Sequence, residues 1–396
     1  MPASWTLLIV LALAAAGFLI GRSRVLAAVG GDSRKLHSRT GYYGWNIALF
    51  TAVPALFLIA IWLFAQPDVN RMVLAGVSLV LAGAGLFLSL GRTAPDFRAR
   101  NAVEAFVRGL LILCSSIAIL TTAGIVLSML FETGHFFTQY PWKEFFFGTT
   151  WSPRFGGGSQ LGMLPLLWGT LYISMIALAV SIPIGLFAAI YMSEYASPRM
   201  RSVAKPLIEV LAGIPTIVYG LFALITVGPL LRDYFAQPLG LGTSGSSVMT
   251  AGLVMGIMLI PFVSSLSDDI INAVPQSLRD GALGLGSTKS ETVRKVVLPA
   301  ALPGIVGAIL LAASRAIGET MIVVLGAGAA AKMGLNPFEA MTTITVKIVS
   351  QLTGDTDFSA PETLVAFALG LTLFVLTLGL NVLALYVVRK YREQYE

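Results

Sequence analysis

The chain has 396 residues, of which 56% are hydrophobic and 12% are charged, and its mean hydropathy is +0.83. Soluble domains are about 25% charged, so the composition excludes an ordinary soluble protein and predicts an all-α polytopic membrane protein. One cysteine and two histidines, the latter far apart in the sequence, exclude a disulfide framework and argue against a metal centre. No cofactor is predicted.

Nine apolar runs are long enough to cross the hydrocarbon core of a bilayer, which takes about 20 residues. The first run, WTLLIVLALAAAGFLI, has its positive charges after the apolar part and no basic region before it. This order indicates a retained membrane anchor, because a cleaved signal peptide begins with a basic region. The nine runs cover approximately residues 4–21, 45–65, 71–91, 109–131, 161–191, 206–230, 248–267, 302–328 and 363–388.

Lysine and arginine residues are distributed unevenly between the two sides of the membrane that these runs define. Basic residues concentrate in cytoplasmic loops, so we predict that the N-terminus lies outside and the C-terminus in the cytoplasm. The net charge of +6 follows from this bias and does not require a nucleic-acid partner. Nineteen basic residues lie in 22–44, 92–108, 199–205, 279–295 and 389–392, and six lie in the alternate loops.

The chain divides into two blocks. Residues 1–108 contain three runs with few polar residues, and we predict an N-terminal extension with three transmembrane helices. Residues 109–396 contain six runs and nearly all the unusual polar features. In the sixth run, Gly213, Pro215 and Gly220 weaken or kink the helix. Such residues serve close packing or line a pathway, and both interpretations stay open.

The stretch LRDGALGLGSTKSETVRKVVLPAALPGI, from Leu278 to Ile305, is polar and rich in glycine between two apolar runs. Its GALGLGST part has the glycine spacing of a phosphate-binding loop, but such a loop needs lysine directly after its second glycine. Ser287 occupies that position, and no buried strand precedes the stretch. The sequence therefore argues against nucleotide binding here.

This stretch instead predicts two short amphipathic helices that meet at Gly286, a residue suited to a left-handed helix end. Ser287 or Thr288 can cap the second helix, and Pro299 is expected to stop it before the next span. Two such helices form a compact projection that fits a groove in a soluble partner. The residues of the pattern are Leu278, Ala282 and Leu285 in the first helix and Glu291, Val293, Val296 and Val297 in the second.

The stretch also resembles the coupling motif of ATP-binding cassette (ABC) importer permeases. That resemblance implies the transmembrane fold of a type I ABC importer for residues 109–396. It further implies that residues 278–300, hereafter the coupling segment, dock onto an ATPase subunit and pass its movement to the membrane helices. The matching positions are Asp280, Gly281, Ala282, Gly286, Leu298 and Pro299, with aspartate for the usual glutamate and Gly281 for the first alanine.

Two charged residues, Arg315 and Glu319, lie four positions apart in the eighth run, so a continuous helix places them on one face. Counted from Leu302, Arg315 lies about 20 Å along the run, past the bilayer midpoint, where an arginine costs roughly 2.5–3.5 kcal/mol. The two residues either lock helices together as an ion pair or face an anion pathway. In a pathway, we expect Arg315 to attract the anion and Glu319 to hold the arginine side chain.

The stretches SRAIGETM and LAGIPTIVYGLFAL, with the coupling segment, resemble the PstC subfamily of phosphate-importer permeases over about residues 160–390. The resemblance assigns Arg315, Gly318 and Glu319 to the phosphate pathway, because they match an Arg-Ala-x-Gly-Glu motif. It implies a non-catalytic permease subunit in the inner membrane of a bacterium, with an N-terminal extension found in some members. Implied partners are a sister permease, a dimer of ATPase subunits, an external phosphate-binding protein and phosphate.

Other functions stay open from the residues alone. Arg315 does not distinguish phosphate from other small oxyanions, so the chain can be a permease for another oxyanion or the sister phosphate permease. A stand-alone secondary transporter would need acidic or broken-helix ion sites in its spans and no coupling segment. In a structural membrane subunit, Arg315 and Glu319 would only lock two helices.

Overall fold

A computed structural model of the chain describes residues 3–65, 71–154, 157–354 and 359–392. Within these ranges, nine helices are long and apolar enough to cross a membrane, which confirms the predicted all-α fold and the number of spans. The chain forms two compact units, Met1–Ala123 and Gly124–Glu396, whose boundary lies inside one long helix. The predicted boundary between residues 108 and 109 stays a prediction.

The first unit consists of helices that pack closely through glycine. Gly44 and Gly85 lie where the backbone of a neighbouring helix approaches too closely to admit a methyl group, which is common between membrane helices. Val10, Ala55 and Ala82 form a small buried core. The elements are α1 (Ala3–Ala28), a 3-10 turn (Ser33–Lys35), α2 (Thr40–Ala65), α3 (Arg71–Gly91) and the first part of α4 (Ala99–Gln139).

The second unit is a helical bundle in which several helices are interrupted by turns of wider, π-type geometry. Its first half contains the end of α4, α5 (Trp142–Phe147), a hairpin of β1 (Trp151–Ser152) and β2 (Gln160–Leu161), α6 (Leu164–Ile190), a π turn (Tyr191–Tyr195), α7 (Pro198–Ala212), α8 (Thr216–Phe222) and α9 (Gly228–Leu231). Its second half contains α10 (Val248–Ala273), α11 (Gln276–Gly284), α12 (Lys289–Thr292), a π turn (Val293–Val297), α13 (Leu298–Ile317), α14 (Met321–Gly326), α15 (Ile344–Gly354) and α16 (Pro361–Arg392).

Helices α6 and α10 run parallel and form the centre of this bundle. Gly252 faces Ile176, Gly256 faces Val180, and Gly185 faces Val263, so small residues let the two helices approach closely. Helix α13 runs in the opposite direction along α10, since Gly304 near its beginning packs against the end of α10. The bundle therefore has one end at which α6 and α10 finish and the α12–α13 run begins, hereafter the coupling end.

Two spans differ from their predicted limits. The predicted run 206–230 divides in two, because Pro215 disfavours the helical conformation at Ile214 and the spanning helix begins only at Thr216. The predicted run 302–328 is instead a continuous helical run from Lys289 to Ile317. The first of these spans thus begins after a proline, and the second ends at Gly318, the C-cap of α13.

The expectation that Pro299 stops the second helix of the coupling segment is wrong. The π turn lies directly before it, and the N–H of Leu298 donates to the carbonyl oxygen of Val293, five residues earlier. This wider turn shifts the carbonyl groups that a proline ring would otherwise meet, so the helix continues through Pro299. The coupling segment is therefore joined to its span without a break.

We expect Gly169→Ala to lower the stability of the protein by about 1–3 kcal/mol. A methyl group on this buried glycine of α6 would overlap the carbonyl oxygen of Thr342, a backbone atom that cannot rotate away. Thermal unfolding of the purified protein in detergent measures the effect. Gly134→Ala in α4 is the matched control, because its methyl group meets no atom and should not lower the unfolding temperature. An equal loss in both variants would contradict this account of the packing.

Candidate functional site

Two helix breaks in the second unit occur beside one cavity. Helix α7 ends at Ala212, and α8 begins at Thr216 after Gly213 and Pro215. Helix α13 ends at Ile317, and α14 begins at Met321. Helices α8 and α14 then pack against each other, with Gly220 of α8 close to the backbone of Met321. Non-helical backbone at membrane depth is tolerated only where protein buries it or where it lines a water-filled cavity.

The cavity has a volume of about 310 Å³ and is lined by residues of α7, α8, α10 and α13. Arg315 extends into it from the last turn of α13, and Thr216 is the first residue of the helical run that continues to Ala236. The positive end of that helix dipole therefore lies at the cavity. The remaining lining residues are Glu209, Ala212, Ile214, Met258, Pro261, Phe262, Ser265 and Leu266.

The Arg315 guanidinium group is held by an aromatic ring and not by a carboxylate. Its Cζ atom lies 5.7 Å from the centre of the Phe262 ring, a distance suited to a cation–π interaction. Among the described residues, no ion pair includes Arg315. Phe262 lies near the middle of α10, which places Arg315 well away from both ends of that helix. The guanidinium donors are thus available to an anion at mid-depth of the bundle.

The predicted pairing of Arg315 with Glu319 is not found. The helix ends at Ile317, so Gly318 caps α13 and Glu319 lies in the link to α14, no longer on the face of Arg315. The Glu319 carboxylate accepts hydrogen bonds from the backbone N–H groups of Thr320 and Met321, at 3.1 and 3.2 Å. Glu319 thereby stabilises the beginning of α14, and it is not among the residues that line the cavity.

The coupling segment folds at Gly286 as predicted. Gly286 has a φ of +88°, and the N–H groups of Gly286 and Ser287 donate to the carbonyl oxygens of Leu283 and Ala282. This is the Schellman arrangement, in which a glycine in the left-handed region ends a helix. Thr288 then caps α12, and its backbone N–H donates to the Glu291 carboxylate, which completes a reciprocal capping box.

The predicted docking residues separate into an exposed group and a packed group. Asp280, Gly281 and Gly286 lie exposed on α11 and its end, and no residue of α11 is buried. Leu278, Leu283 and Leu285 on the same helix are 41%, 48% and 89% exposed, an apolar surface suited to a partner. The packed group consists of the other three residues. Ala282 is half-buried, and Leu298 packs against the ends of α6 and α10. Pro299 lies within the α13 helix.

Arg279 fixes the coupling segment to the bundle, a role that the sequence interpretation missed. Its guanidinium group forms an ion pair with Glu194 at 2.9 Å and donates to the carbonyl oxygens of Val274 and Ile271. The side chains of Arg279 and Glu194 are only 12% and 10% exposed. Because Glu194 belongs to the π turn after α6, this contact joins α11 to the ends of both α6 and α10.

A second anchor, also missed, attaches α7 to the coupling end of α10. Asp268 is fully buried and accepts hydrogen bonds from Arg201, at 2.9 and 3.1 Å, and from Lys205, at 2.9 Å. The hydrogen bond with Asp268 raises the pKa of Lys205, which therefore stays charged. The available sequence signal was the pair of aspartates ending an apolar run, together with two basic residues one helical turn apart.

Comparison with known proteins places these features in a family. Residues 181–393 match the family model described as "Binding-protein-dependent transport system inner membrane component". Residues 7–78 match a second model, described as "Phosphate ATP-binding cassette transporter". The first match covers more than half of the chain and includes the cavity, both anchors and the coupling segment.

Curated relatives align over most of their own length. "Phosphate transport system permease protein PstC 1" of Mycobacterium bovis and its namesake of Mycobacterium tuberculosis are each 36% identical over 282 residues, which cover 65% of this chain and 82% of the relative. "Probable ABC transporter permease protein YqgH" of Bacillus subtilis is 32% identical over 234 residues, which cover 59% of this chain and 74% of the relative.

Proposed function

The chain belongs to the family of binding-protein-dependent transport system inner membrane components, and we propose that it is the permease subunit of an ATP-driven importer of inorganic phosphate. Phosphate as substrate is supported by the family model matched at residues 7–78 and by the names of the mycobacterial relatives. The subunit itself is non-catalytic, and ATP is hydrolysed by a partner. Residues 1–108 form an extension characteristic of some phosphate permeases.

The observation that carries the proposal is an arginine without a carboxylate partner in a cavity at mid-depth of the bundle. A guanidinium group donates two parallel hydrogen bonds to two oxygens of one phosphate, which fixes both position and orientation. The N-terminal end of the helical run, at Thr216, adds a positive electrostatic potential that favours an anion. Gly318 and Glu319 take part in the pathway through the helix break, which leaves space beside Arg315.

The continuity of one helix supports the proposed coupling to ATP hydrolysis. The run from Lys289 to Ile317 has 29 residues, about 40 Å in length, and carries the coupling segment at one end and Arg315 near the other. We expect the exposed face of α11, including Asp280, Gly281 and Gly286, to dock onto an ATPase subunit. Movement of the docked segment then reaches the cavity through this helix and through the Arg279–Glu194 anchor.

The proposed complex contains this subunit, a sister permease that supplies the other half of the pathway, two ATPase subunits and an external phosphate-binding protein. It lies in the inner membrane of a bacterium, with the N-terminus outside and the C-terminus in the cytoplasm. The uneven distribution of lysine and arginine supports this orientation, because 19 basic residues lie in the segments assigned to the cytoplasm and six in the alternate loops.

Affinity purification of the tagged chain from its native membrane tests the proposal, followed by reconstitution of the purified complex into proteoliposomes. The expected result is co-purification of an ATPase and a second permease, with ATP-dependent uptake of radiolabelled phosphate. Arsenate should compete with phosphate, and sulfate should not. Uptake of phosphate by this chain without an ATPase, or an intact complex that prefers another oxyanion, would overturn the proposal.

A further inference from the structure

Glu209 contributes a carboxylate to the same cavity as Arg315, and neither the sequence pattern nor the family resemblance assigns it a role. Within the described ranges, no ion pair or hydrogen bond engages this carboxylate. Opposite charges in one cavity usually neutralise each other directly, yet Arg315 lies over Phe262 and Glu209 stays unpaired. The cavity therefore offers an anion both a cation and a carboxylate.

The placement of Glu209 follows from the anchor on α7. Arg201, Lys205 and Glu209 are spaced four residues apart and share one face of this helix. The first two residues bind Asp268 at the coupling end of α10, so the third lies one turn further along, beside Phe262 and Ser265. Two ion-pair contacts with the buried Asp268 thus fix the part of α7 that carries Glu209 beside the cavity.

A carboxylate beside an anion-binding arginine favours oxyanions that carry a proton over those that do not. An ionised carboxylate is only a hydrogen-bond acceptor, so it repels any oxyanion that has no proton to share. Phosphate and arsenate keep at least one proton near neutral pH and can donate it to the carboxylate. Sulfate is fully deprotonated and would meet the carboxylate with an unprotonated oxygen.

We propose that Glu209 is a specificity-determining residue of the pathway, which accepts a hydrogen bond from the protonated oxygen of phosphate while Arg315 binds the unprotonated oxygens. The inference rests on the proposed function, since it concerns the anion that Arg315 attracts. Thr216 and Ser265 contribute hydroxyl groups to the same cavity and complete the polar lining. The resulting site selects protonated tetrahedral oxyanions and rejects sulfate.

A cysteine-protection assay on the complete complex tests this selection at the cavity, independently of the external binding protein. Ala212→Cys is introduced at the cavity wall in a Cys114→Ser background, which removes the single native cysteine. The rate of modification by a small thiol reagent is measured with increasing phosphate or sulfate. With Glu209 present, sulfate should need at least about tenfold higher concentration than phosphate to slow the reaction.

Glu209→Gln should bring the protective concentrations of sulfate and phosphate to within about threefold of each other, because the amide is neutral and also donates. Glu209→Asp should keep the preference for phosphate, and Glu132→Gln, in α4 and not among the residues lining the cavity, is the matched control and should change nothing. Should the Gln variant fail to assemble, Glu209→Ser removes the same charge and is measured in the same way.

An unchanged phosphate-to-sulfate ratio in the neutral variants would overturn the role of Glu209. Failure of the proposed function itself would give another result: phosphate would not protect the cysteine even with Glu209 present, and the complex would not take up phosphate. The two failures are therefore distinguishable.

Discussion

Arg315→Ala is expected to lower phosphate uptake by about a hundredfold or more, without preventing assembly of the complex. The change removes the only charged group that α13 places in the cavity, and with it two charge-assisted hydrogen bonds worth about 1.5–3 kcal/mol each. Assembly should persist, because Arg315 forms no ion pair with any described residue. Radiolabelled phosphate uptake and co-purification of the partners measure the two effects.

Two further variants separate geometry from charge in this experiment. Arg315→Lys keeps the positive charge but loses the planar fork, so we expect intermediate uptake. Arg232→Ala is the matched control, since Arg232 pairs with its exposed neighbour Asp233 and should contribute little. Normal uptake by Arg315→Ala would refute the pathway assignment, whereas loss of the complex would show that Arg315 serves assembly.

Arg279→Ala is expected to uncouple ATP hydrolysis from phosphate transport. It should also destabilise the coupling end by about 3–5 kcal/mol. The change leaves Glu194 nearly buried without its cation and frees the carbonyl oxygens of Ile271 and Val274. We expect a coupling segment released in this way to dock onto the proposed ATPase subunit but no longer to move the bundle with it. The measurement is the number of ATP molecules hydrolysed per phosphate transported, which should rise at least about tenfold, together with the unfolding temperature.

The control for this prediction is Arg294→Ala, which removes an exposed arginine from the same segment. A double variant, Arg279→Ala with Glu194→Gln, should regain part of the lost stability, because the unpaired buried charge is gone. It should not regain coupling, since the link between α11 and the bundle is still missing. A normal ratio of hydrolysis to transport in Arg279→Ala would show that the coupling segment needs no anchor of this kind.

Local patterns in the sequence were sufficient to predict the number of spans and the turn within the coupling segment. Hydrophobic length defines a span without reference to the rest of the chain, and nine were found among the described residues. The turn at Gly286 and the cap at Thr288 depend on residues within one helical turn, so they too were predictable.

Features that depend on distant residues or on unusual backbone geometry were not predictable in the same way. A π turn has no distinctive residue pattern, so Pro299 was misread as a helix end. Gly318 is compatible with a continuous helix as well as with a break, and the wrong choice paired Arg315 with Glu319. The contacts of Arg279 with Glu194, and of Asp268 with α7, join segments more than 60 residues apart.

The π turn at Val293–Val297 also sets the rotational phase of the helix that contains it. Such a turn acts as one residue inserted into an α-helix, and each inserted residue rotates the rest of the helix by about 100°. Without it, a side chain at position 315 would leave α13 from a different side, away from Phe262 and the cavity. The direction in which Arg315 leaves its helix is therefore fixed more than four helical turns earlier, in a turn whose Val293 and Val297 side chains are buried.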